Sequence, residues 1–358
     1  MQINCKILII IAMKIFLLLL ICTASLIGEI IPRDIQKSPF LNDERYKEVV
    51  IIGGGPAGLT AALYSARSGL STLVIEGEEP RGQIALSSNV ENFPGFPKGI
   101  AGFDLGSNIR EQAIKFGAIP LLDKVVTADL SERPFRLKLK GGKEIYAETL
   151  IIATGARTKW LGIPSEAALM GKGVNSCAIC DGFLFRKKEV IVVGGGDTAL
   201  EDALYLTNFA TKVTVIHRRD SLRASEVLQK RAFANPKIHF IYDTVVEEIL
   251  DINKGSVEGV LLKNITTNET YLYSCDGVFI AIGHVPNTEL FTQSLELDSA
   301  GYIIAQPYST KTSVPGVFAA GDVADPKYKQ AIIAAGFGSM AAIDAFHFIK
   351  ENQNKENL

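Results

Sequence analysis

Short, unbroken apolar runs closed by glycine set the rhythm of the chain. Val49-Val50-Ile51-Ile52 is the first, and Gly53-Gly54-Gly55-Pro56-Ala57-Gly58 follows at once. Residues 71–75 form a second strand, ending at Glu76. Leu150-Ile151-Ile152 leads into Ala153-Thr154-Gly155, and Val190-Ile191-Val192-Val193 opens into Gly194-Gly195-Gly196-Asp197-Thr198-Ala199. Strands that are apolar on both sides belong to parallel sheets covered on both faces. Residues 59–67 and 200–206, each behind a glycine turn, read as helices. Residues 135–140 alternate as a half-exposed strand with a turn at Gly141-Gly142. Residues 212–216, 257–262, 271–280 and 317–319 read as further strands. Residues 91–97, aromatic and proline-rich, read as a stiff loop. An alanine-rich apolar helix is expected from about 329 to 349, with a frayed polar end over 351–358. The pattern is α/β, and 358 residues suffice for two domains.

Residues 1–31 stand apart. They are apolar from 7 to 31 except for Lys14 and Glu29, with Lys6 just before. A basic residue, a short apolar run and small residues resemble a signal peptide. The stretch also nearly reaches the length of a membrane span. A downstream start of translation is a third reading, and the flanking lysines and arginines favour none of the three. Residues 32–44 read as a linker. The net charge of −2 implies no general affinity for polyanions, so no nucleic-acid partner is expected. Two of the five cysteines, Cys5 and Cys22, lie in the leader, and Cys275 is isolated. This is not the cysteine framework of a small secreted domain.

The two glycine turns carry the first chemistry. In a strand–turn–helix unit the glycines allow a tight turn, close approach of backbone to a pyrophosphate and close helix packing, while the helix N-terminus favours the phosphates. Glu76, at the end of the next strand, can accept hydrogen bonds from a ribose diol. In the second unit Gly194, Gly196 and Ala199 hold the fingerprint positions, but the following strand ends in His217-Arg218-Arg219, with Arg223 close behind. Guanidinium groups there suit a ribose 2′-phosphate. The first site therefore suits FAD and the second NADPH. The repeated Ala-Leu-Tyr, at 62–64 and 203–205, makes the units look like duplicates. Gly321-Asp322 suits the flavin-type half, so the second copy is read as inserted into the first.

The second chemistry is Cys177-Ala178-Ile179-Cys180-Asp181. Structural zinc needs about four ligands, and the four histidines show no pair spacing to complete one cysteine pair. A disulfide across so short a loop gives little entropic stabilisation. A redox-active pair is the better reading. Its thiolate form is the reactive one, and Asp181 can exchange protons as acid and base.

Together, Cys177-Ala178-Ile179-Cys180-Asp181-Gly182-Phe183, His217-Arg218-Arg219-Asp220 with Arg223-Ala224, and Gly321-Asp322-Val323 closely resemble the low-molecular-weight thioredoxin reductases, class II pyridine nucleotide-disulfide oxidoreductases. The resemblance covers about residues 49–350. It implies two Rossmann-like, three-layer ββα domains, with an NADPH-binding domain (159–284) inserted into an FAD-binding domain (45–158 and 285–350). It implies a homodimer that passes electrons from NADPH through FAD and Cys177–Cys180 to thioredoxin. By position, Cys180 adjoins the flavin, Cys177 is the interchange thiol and Asp181 the acid. FAD contacts carry over to Gly53, Gly55, Pro56, Ala57, Gly58, Glu76, Gln83, Asn92, Asp322, Gln330 and Ala331. NADPH contacts carry over to Gly196, Asp197, Thr198, His217, Arg218, Arg219 and Arg223. Two departures stand out: Ile179 where the family usually has Thr, and Lys329 where Arg is common. A rotation between domains is implied, with crossings at 156–160 and 282–287. Phe183, Leu184 and Phe185 read equally as a docking patch or as core. Alternatives are a flavin disulfide reductase with another partner and a membrane-tethered flavin redox sensor. NADPH is a cytosolic metabolite, so the catalytic domains are expected in the cytoplasm, with an anchored or exported form depending on residues 1–31.

Overall fold

The computed structural model describes residues 43–356 apart from 79 and 88. The expectations for the leader lie outside them. The chain opens with β1 (Tyr46–Ile52), α1 (Pro56–Arg67) and β2 (Thr72–Ile75). Then come α2 (Gly102–Lys115), β3 (Ile119–Leu121), β4 (Val125–Asp129), β5 (Phe135–Leu139) and β6 (Glu144–Ile152). Strands β3, β2, β1 and β6 lie side by side in parallel. The other edge of β6 is shared. Its first half pairs antiparallel with β5, which in turn pairs with β4.

A second parallel sheet follows, in the order Ile238–Ile241, Lys212–Ile216, Glu189–Val193, Gly277–Ile280, Val174–Asn175. These are numbered along the chain as β7 (Val174–Asn175), β8 (Glu189–Val193), β9 (Lys212–Ile216), β10 (Ile238–Ile241) and, after the meander β11 (Thr244–Ile249), β12 (Gly259–Asn264) and β13 (Thr270–Ser274), as β14 (Gly277–Ile280). Helix α3 (Ala178–Asp181) precedes β8, and α4 (Asp197–Leu206) links β8 to β9. The chain then returns to the first sheet. β15 (Val317–Ala319) lies parallel to the second half of β6, and α5 (Ala331–Glu356) closes the unit. The second sheet is thus inserted between strands of the first.

Period-two alternation makes each parallel sheet the middle of three layers. In β1, Val49 and Ile51 pack toward α1 and α5. Val50 and Ile52 pack on the opposite side with residues of β4 and β5. In β8, Val190 and Val192 meet Ala199, Leu200 and Ala203 of α4, while Ile191 and Val193 meet Val246, Val260 and Leu262 of the meander. Each such buried side chain contributes about 1.5–3 kcal/mol, which is why these runs contain no polar residue.

Some elements differ from the sequence reading. The expected strand over 271–280 is two, β13 and β14, because the chain turns at 275–276. The last helix runs past 349 to Glu356, since polar residues can extend an exposed helix end. Helix α2 and strands β3, β4, β10 and β11 were not anticipated.

Candidate active site

Cys177 and Cys180 are joined by a disulfide. Cys177 is the N-cap of α3, and the Cys180 backbone N–H donates to Cys177 Sγ at 3.2 Å. Ala178 points into the core of the second unit. Ile179 is 56% exposed and Leu184 equally so. Phe183 is 36% exposed, whereas Phe185 is buried against Phe279 at 5.1 Å between rings. The 183–185 segment therefore divides, two side chains facing out and one serving as core. Burial pushes the Asp181 carboxyl above the usual carboxylate range.

The disulfide faces the first unit. Gln330 Nε2 lies 3.8 Å from Cys177 Sγ and 3.9 Å from Cys180 Sγ. Asn92 Nδ2 donates to Gln330 Oε1 at 3.3 Å. Gln83 donates through Nε2 to the Ala156 carbonyl. Asn92, Gln330 and the dithiol, far apart in sequence, thus share one region. Ala331 is the first residue of α5.

Both glycine turns sit at uncapped helix N-termini. Gly55 and Gly196 are the N-caps of α1 and α4, extended at φ −79° and −99°, and no side chain caps either helix. A Cβ on Gly196 would meet nothing, and one on Gly55 only Gly82 Cα at 4.0 Å. Protein packing therefore does not require glycine at these positions; the open space in front of the free N–H groups fits a pyrophosphate. Gly53 and Gly58 are different. A Cβ on Gly58 would lie 1.8 Å from the Gly53 carbonyl oxygen, and Gly53, at φ +120°, faces the Ala153 carbonyl. Pro56 occupies the first turn of α1, and Ala57 packs against Gly321 and Gly338.

Glu76 directly follows β2, is 4% exposed and is held by Arg110 of α2 through Nε at 2.8 Å and Nη2 at 3.1 Å. The carboxylate is thus charge-paired yet retains lone pairs for a diol. Sequence reasoning missed Arg110 because it missed α2.

In the second unit, His217 directly follows β9 and is buried, and its Nε2 has no hydrogen-bond partner among the described residues. Burial and the nearby Arg223, Arg219 and Arg218 hold its pKa below the usual value. The three arginines are exposed and form no ion pair among the described residues. The loop bearing them folds onto the turn, with the N–H groups of Arg223 and Ala224 donating to the Gly195 carbonyl at 2.7 and 3.1 Å. Asp197 Oδ1 accepts from the Ser225 N–H at 2.6 Å, and Thr198 lies exposed in the first turn of α4. Unpaired guanidiniums beside an open helix N-terminus fit a phosphorylated ribose.

Between the units lies a cluster of acids around Lys329. Burial pushes Asp202 up to about 7, with Glu201 adding to the rise and Lys329 opposing it. Asp322 is pushed up to about 6, again mainly by burial. An acid whose folded pKa is raised binds a proton that the unfolded chain has already released. Stability then falls as pH rises from the unfolded value near 4 to the folded value near 7. Asp202→Asn is expected to raise stability at pH 8 by about 1–2 kcal/mol, discounted for partial exposure, and to give no gain near pH 4. Urea unfolding at the two pH values checks this.

The sequence pattern of the pyridine nucleotide-disulphide oxidoreductases matches residues 47–338. The chain belongs to that family. Within it, a thioredoxin reductase of Rickettsia typhi is 52% identical over 305 residues, 85% of this chain and 98% of the relative. The thioredoxin reductase from Giardia duodenalis superimposes with a TM-score of 0.83 at 42% identity, over 86% of this chain and all of that one. The Lactococcus lactis enzyme in its FR conformation is 40% identical over 85% of this chain and 99% of its own, yet its TM-score is 0.57. Nearly equal identity thus goes with unequal superposition. Family membership implies FAD and a nicotinamide nucleotide, and the two glycine-turn sites fit them. The Cys177–Cys180 disulfide is the redox-active pair of such an oxidoreductase.

Proposed function

We propose that the chain is an NADPH-dependent thioredoxin-disulfide reductase. The observation that carries the reading is the disulfide held between two dinucleotide-type units, in a chain half identical to a thioredoxin reductase along nearly its whole folded length. The FAD-binding unit comprises 45–158 and 285–350, and the NADPH-binding unit 159–284. Gly53, Gly55, Pro56, Ala57 and Gly58 border the FAD pyrophosphate. Glu76 takes the ribose diol, and Gln83, Asn92, Asp322, Gln330 and Ala331 border the rest of the cofactor. Gly196, Asp197 and Thr198 receive the NADPH pyrophosphate, and His217, Arg218, Arg219 and Arg223 its 2′-phosphate. Held by these residues, FAD would supply the redox chemistry that carries an electron pair from NADPH to the disulfide.

The thiols then do the protein chemistry. Opening the Cys177–Cys180 bond takes two electrons and leaves one thiolate and, with one proton, one thiol. Asp181 exchanges that proton. Cys177 attacks a sulfur of the thioredoxin disulfide, forming a mixed disulfide and expelling the other substrate sulfur as a thiolate. Cys180 then attacks Cys177, re-forming the original disulfide and releasing the second thiolate. Exposed Phe183 and Leu184 beside the dithiol suit a protein substrate. Exposed Phe103 on α2 and Ile332, Met340 and Ile343 on α5 suit a second copy of the chain. We place the catalytic units in the cytoplasm, where NADPH is available.

In the arrangement described, the disulfide faces Gln330, so reaching a protein substrate requires the units to move. Both crossings between them form one small ribbon. Ala156–Thr158 pairs antiparallel with His284–Pro286, and Gly155 and Gly283 flank it at φ +71° and +108°. A disulfide engineered between α4 and the turn before Gln330 is expected to stop thioredoxin turnover while flavin reduction in single turnover changes separately. Undiminished turnover in the locked protein would contradict rotation. The reading as a whole is tested by thioredoxin-dependent NADPH oxidation with FAD-loaded protein. Flavin reduction without thioredoxin turnover would favour another disulfide partner.

A further inference from the structure

Gln330 has a position that contact with FAD does not explain. Its carboxamide is fixed from three sides. Asn92 Nδ2 donates to Oε1 at 3.3 Å, and Oε1 itself lies 3.9 Å from Cys180 Sγ. Nε2 donates one hydrogen to the Tyr328 carbonyl at 3.2 Å. The remaining N–H faces both sulfurs, at 3.8 and 3.9 Å. A disulfide sulfur carries no proton, so only the amide nitrogen can donate across this contact.

The backbone that presents Gln330 is itself held. Asp325 is buried, and its Oδ1 accepts from the N–H groups of Lys327 and Tyr328 at 2.9 Å each. Its Oδ2 accepts from the Lys329 N–H at 3.0 Å. Three consecutive backbone donors on one carboxylate wind 325–329 into a tight turn. Lys329 takes a left-handed conformation there, at φ +49°, and Gln330 projects from the end of the turn just before α5.

We propose that Gln330 is a hydrogen-bond donor to the redox dithiol, stabilising the Cys180 thiolate formed when the disulfide opens, with Asn92 and Asp325 as its positioning residues. This deepens the reductase reading and rests on it. A disulfide sulfur is a weak acceptor. When the bond breaks, with two electrons from NADPH and one proton, the negative charge on sulfur makes the same N–H a much stronger partner. Hydrogen bonding to the charged form lowers a group's pKa, so the amide favours the reduced, open pair. The dithiol belongs to the second unit and the amide to the first. The stabilisation therefore exists only in the arrangement described here and is lost when the dithiol turns to its substrate. There the thiol regains basicity, which strengthens it as a nucleophile.

Other charged groups surround the loop. Asp181 lies on α3 itself, Glu201 and Asp202 on the adjoining α4, and Lys329, Asp322 and Asp325 on the facing unit. Some titrate near neutrality, so the test compares variants across a pH range rather than at one pH.

The experiment uses FAD-loaded Cys177→Ser protein, in which Cys180 is the sole remaining thiol of the pair. Its alkylation by iodoacetamide is followed by mass spectrometry from pH 5 to 10, with buried Cys275 as an unreactive internal control. In Gln330→Leu the midpoint of the Cys180 profile is expected to rise, lowering its rate at pH 7 about three- to ten-fold, one pKa unit being tenfold. Gln330→Asn, which draws the amide back by one methylene, and Asp325→Asn, which loosens the turn, should shift the midpoint by smaller amounts in the same direction. Profiles that superimpose on the parent while flavin binding weakens would overturn the proposal and leave Gln330 as a cofactor contact only. Failure of the wild type to reduce thioredoxin would count against the reductase reading but would not move this thiol profile.

Discussion

Replacing Cys180 or Cys177 by serine is expected to lower thioredoxin turnover at least ~10³-fold, within the range seen when an enzyme loses its nucleophile. The two variants should still accept electrons from NADPH. The second glycine turn, His217 and the three arginines lie on β8, α4 and the loop after β9, and the dithiol contributes nothing to that site. Serine is nearly isosteric with cysteine, and Cys177 and Cys180 are only partly buried, so neither change should disturb the core. The backbone N–H that Cys177 accepts can be accepted by a serine oxygen in the same N-cap position. Stopped-flow absorbance at the flavin band, beside a thioredoxin assay, separates the two half-reactions. Variants that turned over thioredoxin at even a tenth of the wild-type rate would rule out the dithiol as relay.

Two alanine substitutions three residues apart in the same turn should fail in opposite ways. Gly58→Ala places a methyl group 1.8 Å from the Gly53 carbonyl oxygen and 3.3 Å from Ile51 Cγ2. The first obstacle is backbone in the tightest part of the fold, between β1 and α1, and cannot move aside. The expected cost is about 3 kcal/mol or more, with poor recovery of folded protein. Gly55→Ala meets no protein atom closer than 4.0 Å, at an ordinary extended φ of −79°. It should fold with near wild-type stability in the absence of cofactor, yet bind FAD much more weakly, because its methyl group enters the space in front of the α1 N–H groups. Denaturation of apoprotein together with a flavin-binding titration distinguishes the cases. Unchanged FAD affinity in Gly55→Ala would show that this space is not the pyrophosphate site.

The difference between what was legible in the sequence and what was not follows from the range of the interactions. The runs 49–52, 150–152 and 190–193 at the centres of β1, β6 and β8 announce themselves because burial on both faces leaves them wholly apolar. The glycine turns and the dithiol are equally local, each complete within six residues of chain. Strand β3 is three residues with a proline at its centre, and β4 exposes most of its residues, so neither carries a periodic signal. Helix α2 has few buried positions, among them Leu105 and Ala113, and exposes Phe103 and Ile114 among its polar residues, so it carries no clear apolar stripe. Missing it hid Arg110, the partner of Glu76. Gly277, the first residue of β14, makes room through its missing side chain for Phe185 from ninety-two residues upstream. The contact between Gln330 and the dithiol is longer still, bridging 150 and 153 positions. Residues 183–185 could be sorted into surface and core only once α3 and β14 were placed around Phe185.

The central claim is that electrons leave NADPH, pass through this chain's own dithiol and arrive as thiols on a protein substrate. The most direct measurement is an anaerobic titration of FAD-loaded protein with limiting NADPH and excess oxidised thioredoxin, counting new thioredoxin thiols by mass spectrometry. The account predicts two thioredoxin thiols for each NADPH consumed, and none when Cys177 or Cys180 is serine. NADPH consumed with a reduced flavin but no thiols on thioredoxin, from wild-type protein with its disulfide intact at the start, would contradict it.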